Sequence, residues 1–265
     1  MPTGLYAAGG QKYMETLKIC HLYPEVLNLY GDRGNIRCLE RRLEWRGMKA
    51  EVTRVGIGDT DDLTAYDLFF IGGGQDFEQE VLLQDLGSGK GDSIRAAIRD
   101  GKVFLCICGG YQMMGNYYET HDGVKCEFLG AVDFYTKGGD TRMIGNYAFE
   151  LGQASGGSTV VGFENHSGRT YLGSGVSPLG HVLKGYGNNG SDGTEGCRYL
   201  NVYGSYSHGP ILPKNPAFCD ELIATAIGRR TGNRPTLAPI DDSIEQQAHD
   251  SVLQRVLNGT AGRDD

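Results

Sequence analysis

Val103-Phe104-Leu105-Cys106-Ile107-Cys108-Gly109-Gly110-Tyr111-Gln112 is the stretch on which the fold turns. Five apolar residues in a row, with no polar alternation, read as a strand buried on both faces, the pattern of a parallel sheet covered by helices. Two glycines follow at once, and then a helical stretch to about Tyr117. The same grammar repeats outward. Upstream, Ser93 to Asp100 reads as a helix stopped by Gly101. Before it, Leu68-Phe69-Phe70-Ile71 is a second buried strand, followed by glycines at 72–74 and a helix through Glu80-Val81-Leu82-Leu83. At the front, Leu17 to Leu22 reads as a strand, and Asn35 to Arg46 as a helix with Ile36, Leu39 and Leu43 on one face and Gly47 at its end. Lys49–Val55 is the next strand. Strands alternating with helices predict a doubly wound, mostly parallel α/β sheet.

The second half changes character. Glycine-dense residues 151–200 hold short strand-like runs, such as Thr159-Val160-Val161 and Tyr199-Leu200-Asn201-Val202, which predict antiparallel additions to the same domain. Pro216 to about Arg229 reads as a proline-opened helix. Beyond Arg234-Pro235, Ile244, Ala248, Val252 and Val256 recur every four residues, which predicts an amphipathic helix packed on the domain. The expected organisation is a loose leader over 1–16, a catalytic domain over 17–229 and a tail over 230–265 whose helix is peripheral to catalysis.

Composition narrows the class. Of 265 residues, 39% are apolar and 22% charged, ordinary values for a globular protein. Forty-two glycines are about twice the usual share and imply many tight turns. The net charge of −8 argues against a general nucleic-acid binder, and the pairs Arg41-Arg42 and Arg229-Arg230 read as solvated helix ends. No stretch approaches a membrane span. Seven cysteines without a C-x-x-C pair speak against a disulfide framework or a zinc site, and so for a reducing, cytoplasmic setting.

The chemistry centres on Cys108. A cysteine on a tight turn between a buried strand and a helix meets the helix's N-terminal dipole, which favours the thiolate. The Gly109 amide is then placed to hold an oxyanion. Cys106, two residues earlier, reads as a small core hydrophobe. A base is needed, and six histidines are on offer: 21, 121, 166, 181, 208 and 249. His21 lies in the first strand and His249 on the tail helix, structural or solvated positions. His208, in Tyr206-Ser207-His208-Gly209-Pro210, follows the last apparent strand, at the carboxyl edge where open α/β sheets gather their sites. The triple glycine at 72–74 lacks a P-loop ending, and a second oxyanion donor is its better use.

Together these pieces resemble the class I glutamine amidotransferases of the cobyric acid synthase type. The resemblance rests on Cys108-Gly109-Gly110-Tyr111-Gln112, on Gly162-Phe163-Glu164-Asn165-His166-Ser167-Gly168-Arg169-Thr170 and on Tyr203-Gly204-Ser205-Tyr206-Ser207-His208-Gly209-Pro210. The run from Tyr23-Pro24-Glu25 through Tyr30-Gly31-Asp32-Arg33-Gly34-Asn35, with Thr141-Arg142-Met143-Ile144-Gly145, is similar to one branch. That branch is the free-standing glutaminase subunits of bacterial lipid II isoglutaminyl synthases. The likeness runs from about residue 17 to about 228.

The resemblance implies a flavodoxin-like sheet and a glutaminase with Cys108 as nucleophile and His208 as general base. It also implies Arg142 gripping the glutamine substrate, and Gly73 with Gly109 as oxyanion donors. Many class I members place a glutamate two residues after the histidine. Here that position is Pro210, so a Cys-His dyad is implied and what orients His208 stays open. His166 lies inside a shared motif but reads as non-catalytic. No metal or cofactor is implied in this chain. ATP and magnesium are expected in a MurT-like Mur ligase partner, forming a heterodimer that acts on a lipid-linked substrate at the cytoplasmic membrane face. Three alternatives remain: the amidotransferase of another synthetase, such as a cobalamin-pathway enzyme; a cysteine hydrolase on the same fold, with no need of Arg142; and a silent binding module.

Overall fold

Every residue from Val103 to Ile107 is buried, because the strand they form is central and covered on both faces. The structure, a computed structural model, describes residues 15–74 and 82–259. Its main sheet joins β1 (Thr16–Leu22), β2 (Lys49–Val55), β3 (Leu68–Ile71), β4 (Val103–Ile107), β11 (Cys197–Tyr199) and β12 (Val202–Ser205). Their spatial order is β11-β12-β4-β3-β1-β2. All neighbours are parallel except the β11–β12 hairpin. Helices α1 (Arg33–Trp45), α2 (Gly91–Arg99), the single turn α3 (Gly109–Gln112) and α4 (Pro216–Thr231) connect or cover these strands.

The chain runs outward from β1 in both directions, so the ends of β1 and β3 mark a topological switch point, where open α/β sheets leave a crevice. Asp32, Gly72 to Gly74, Cys108 and His208 all follow the carboxyl ends of parallel strands on that edge.

The antiparallel additions build a second sheet instead of extending the first. It contains β5 (Tyr117–Glu119), β6 (Lys125–Glu127), β7 (Phe134–Leu151), β8 (Thr159–Leu172), β9 (Gly180–Lys184) and β10 (Thr194–Glu195). The long hairpin β7–β8 dominates it. Two readings of the strands and helices are corrected. Leu200 and Asn201 are the tight turn of the β11–β12 hairpin, with Leu200 at φ 49°, and not part of a strand. The expected helix beyond Gln112 lasts one turn only. The leader at 1–14 and the predicted helix at Glu80-Val81 lie outside the described residues.

The C-terminal helix α5 (Ser243–Leu257) forms as expected, and Val252 and Val256 of the predicted stripe pack, but His249 and Leu253 complete the packed face in place of Ile244 and Ala248. Ile244 and Ala248 are exposed. The register is set by polar contacts that hydrophobic periodicity does not see. His249 Nδ1 lies 2.9 Å from the Lys214 carbonyl oxygen, and Nε2 lies 3.0 Å from Thr159 Oγ1. Val256 packs on Ala148 and Val161 of the second sheet.

Arg42 is also corrected. It is not a solvated helix end but a buried guanidinium, donating to Asp220 through Nε (2.8 Å) and to Asp242 through Nη1 (2.5 Å). It thereby ties α1 to α4 and to the residue that opens α5. Arg230 likewise pairs with Asp67 and Glu15. Among the described residues no helix is long and apolar enough to cross a membrane.

Removing one partner of a buried ion pair leaves uncompensated charge, so Arg42→Ala should cost about 3 kcal/mol. Thermal unfolding should then occur roughly 6–12 °C lower, with α5 cut faster in limited proteolysis. An unchanged melting temperature would refute the tie.

Candidate active site

Cys108 occupies the sharp turn between β4 and α3 at φ 49°, ψ −107°, a conformation unfavourable for a residue with a Cβ. Three backbone hydrogen bonds hold the turn. The Cys108 N–H donates to the Ser205 carbonyl at 2.8 Å, and the Gln112 N–H to the Cys108 carbonyl at 2.8 Å. The Gly110 N–H reaches the Gly72 carbonyl at 3.2 Å. Strain held at a strand-to-helix turn is the mark of a nucleophile elbow. Gly110 has to be glycine, since a Cβ there would stand 2.7 Å from the Gly72 carbonyl oxygen.

His208 arrives from β12, the strand beside β4, and its backbone is clamped by β8. Its N–H donates to the Phe163 carbonyl at 2.8 Å, and its carbonyl accepts from the Phe163 N–H at 3.3 Å. The imidazole is 1% exposed. Nδ1 lies 3.5 Å from Asp32 Oδ2, which leaves Nε2 for the thiol. Burial alone would depress the imidazole's pKa, but the Cys108 sulfur and then the Asp32 carboxylate outweigh it and hold it up near 10. Thiol and imidazole are therefore electrostatic neighbours, suited to a thiolate–imidazolium pair.

Asp32 is the residue that sequence reasoning missed. Fully buried just before α1, it accepts the Gly73 N–H at 2.8 Å with the same Oδ2 that faces His208. Its only sequence signal was membership of the Tyr30-Gly31-Asp32-Arg33-Gly34-Asn35 run. The finding also corrects Gly73, whose amide is given to Asp32 and so is not free to hold an oxyanion. The absence of a Cβ is what matters at this position, because one would stand 2.4 Å from His208 Cε1. Gly73 lets the imidazole lie against the loop.

Arg142, on β7, is exposed near the site and held by Asn165 on β8. Its Nε donates to Asn165 Oδ1 at 2.8 Å and its Nη2 to the Asn165 carbonyl at 3.3 Å. Asn165 in turn donates through Nδ2 to the Tyr30 hydroxyl. The Tyr30 ring centroid is 4.8 Å from that of His208. Arg142, His208 and Cys108 are thus joined into one assembly by Asn165 and Tyr30. His166 is buried among other partners. It stacks on Tyr206 at 3.6 Å, its Nδ1 lies 2.8 Å from the Gly168 carbonyl oxygen, and Glu164 is 3.8 Å from its Nε2. Cys106 is buried in the strand, where desolvation pushes its thiol pKa well up, and His21 is buried against Phe70.

Comparison with known proteins places this geometry. Residues 18–216 match the CobB/CobQ-like glutamine amidotransferase domain. The chain is 43% identical over 244 residues to subunit GatD of the glutamine-hydrolysing lipid II isoglutaminyl synthase of Staphylococcus aureus, covering 91% of this chain and 97% of that one. It is 40% identical over 236 residues to the corresponding Streptococcus pneumoniae subunit, covering 89% and 90%. A cobyric acid synthase from Pelotomaculum thermopropionicum is 32% identical over 219 residues, 78% of this chain but 40% of the synthase. Two solved structures from Thermotoga maritima share the fold. PurLQS superposes at a TM-score of 0.51 with 17% identity over 92% of this chain and 99% of its own. A glutamine amidotransferase superposes at 0.52 with 16% identity over 92% and 97%.

The raised imidazole pKa carries a sign. Because the folded value near 10 exceeds the ordinary 6.5, the protonated ring favours the fold. That contribution is complete below about pH 6.5 and is lost as pH rises through about 10. Cys108→Ala removes the largest raising influence, so the His208 imidazole should titrate well below the wild-type value by NMR. Identical titration curves would show that the thiol and imidazole do not interact.

Proposed function

The chain belongs to the CobB/CobQ-like glutamine amidotransferase family, and on that premise we propose that it is the glutaminase subunit of a lipid II isoglutaminyl synthase. It would hydrolyse L-glutamine and pass the ammonia to a MurT-like, Mur-ligase-type partner, which uses ATP and magnesium to amidate the D-glutamate of the lipid II stem peptide. The observation that carries the catalytic reading is His208, set between the Cys108 elbow and the buried Asp32 carboxylate.

The Cys108 thiolate attacks the side-chain carboxamide carbon of glutamine. The Gly109 N–H, at the mouth of α3, meets the resulting oxyanion. Such a donor is worth about 3 kcal/mol of barrier. The His208 imidazolium gives its proton to the departing nitrogen, ammonia leaves, and a γ-glutamyl thioester remains on Cys108. Neutral His208 then takes a proton from water, which attacks the thioester. Glutamate departs and the thiolate is restored. Asp32 fixes the ring and stabilises its charged form through both steps. Arg142 offers a guanidinium fork to the substrate's α-carboxylate, a group that a general cysteine hydrolase would not need to grip.

The acceptor is chosen on similarity: the chain is 43% identical to the S. aureus GatD subunit across 97% of that subunit, against 32% across 40% of a cobyric acid synthase. On this reading the ammonia serves a separate synthetase. Working on a lipid-linked substrate, the pair would act at the cytoplasmic face of the membrane.

Glutamate release from L-glutamine, measured with the Mur-ligase-type partner present, tests the reading. Cys108→Ala should abolish it, and Asp32→Asn should lower kcat by about 100-fold with KM little changed. Arg142→Ala should raise KM for glutamine by about 10-fold, the cost of losing one charge-assisted contact. A folded wild type that stays silent beside its partner would overturn the assignment.

A further inference from the structure

Tyr30 stands out on three counts. It has a left-handed backbone (φ 54°, ψ 26°), unfavourable for a side chain with a Cβ. It is held there from both sides, because the Leu29 N–H donates to the Gly73 carbonyl at 3.1 Å and the Asp32 N–H to the Leu29 carbonyl at 3.2 Å. Its side chain is nonetheless 46% exposed. The fold therefore spends conformational strain on a residue that adds little to the core. What the strain secures is position. The ring lies on the His208 imidazole, with centroids 4.8 Å apart, and against Phe163 at 5.6 Å. The hydroxyl accepts from Asn165 Nδ2, and Asn165 takes Nε and Nη2 of Arg142. That leaves the Nη1–Nη2 edge of the guanidinium for a ligand. The imidazole and the guanidinium thus share one brace.

We propose that Tyr30 is a positioning residue that couples the two ends of the glutamine site, its ring bracing His208 over Cys108 and its hydroxyl setting the direction of Arg142 through Asn165. The proposal rests on the glutaminase reading above. Substrate held by Arg142 draws on the same Asn165–Tyr30 contact that steadies the imidazole, so binding and alignment of the base are not independent.

The two functions of the side chain are separable. Tyr30→Phe keeps the ring and loses the hydroxyl. It should raise KM for glutamine about 5-fold, the factor of one modest hydrogen bond, with kcat nearly unchanged. Asn165→Ala should do the same, and the double variant should be no worse than either single one, because both changes break one link. Tyr30→Ala removes the ring as well, and kcat should fall about 10-fold or more as the imidazole loses its brace. Circular dichroism should show these variants folded, as truncation of a half-exposed side chain permits.

A second readout does not depend on glutamine turnover: the rate of Cys108 alkylation by iodoacetamide, followed by peptide mass spectrometry. It should fall in Tyr30→Ala and hold in Tyr30→Phe. Loss of turnover in the wild type beside its partner would strike the glutaminase reading, while the alkylation rates would still decide whether Tyr30 steadies His208. Wild-type kcat, KM and alkylation in Tyr30→Ala, or KM effects of Tyr30→Phe and Asn165→Ala that simply multiply, would overturn the coupling.

Discussion

A single carboxylate oxygen organises the site. Asp32 Oδ2 takes the Gly73 N–H at 2.8 Å and faces His208 Nδ1 at 3.5 Å, in a position closed to water. A buried carboxylate is costly unless its neighbours satisfy it. Here only Oδ2 has neighbours, from the loop after β3 and the segment after β12, while Oδ1 is buried without a hydrogen bond; the acid itself comes from the loop after β1. Three separate stretches of chain are thereby fixed against one another on the carboxyl edge of the sheet. The elbow that carries Cys108, anchored to Gly72 and Ser205, completes the ring. Gly73 belongs to this constraint for steric reasons, since only the absence of a Cβ allows the imidazole to lie where Asp32 can reach it.

The second sheet supplies what the parallel sheet lacks. Strand β8 pins the His208 backbone through Phe163, and the paired strands β7 and β8 bring Arg142 and Asn165 to the Tyr30 ring that lies against the imidazole. Close packing makes the junction possible. Gly162 leaves room for Ser207, whose Oγ would stand 1.8 Å from a Cβ placed there. The α5 helix packs behind these strands through Val256 and His249, and Arg42 ties its start to α1 and α4. The described part of the C-terminal segment therefore packs on the hairpin that carries Arg142.

Much of this was legible in the sequence, and the exceptions have common causes. Val103 to Gly110 announced a buried strand and a sharp turn into a helix because apolar runs and glycine pairs are local signals. His208 was legible by its place after a strand. Asp32 was not, because an acid between Gly31 and Arg33 in a loop has no periodicity, and its partners lie 41 and 176 positions away in sequence, at Gly73 and His208. Gly73 was singled out as an oxyanion donor, but that role depended on where its N–H points, which only the fold decides. Arg42 deceived because a polar residue buried by specific partners looks from sequence like a solvent-facing one, and in α5 the polar anchors of His249 brought His249 and Leu253 into the packed face in place of Ile244 and Ala248.

The central claim is that Cys108, activated by His208 and Asp32, is the nucleophile of a site shaped for glutamine. The most direct measurement is covalent labelling by a glutamine-analogue electrophile, with the adduct located by peptide mass spectrometry. The account predicts a single adduct on Cys108, with none on the other six cysteines. L-glutamine should protect against it, and Asp32→Asn and Arg142→Ala should slow it. Labelling spread over several cysteines, or an adduct on Cys108 that forms equally fast with glutamine present, would contradict it.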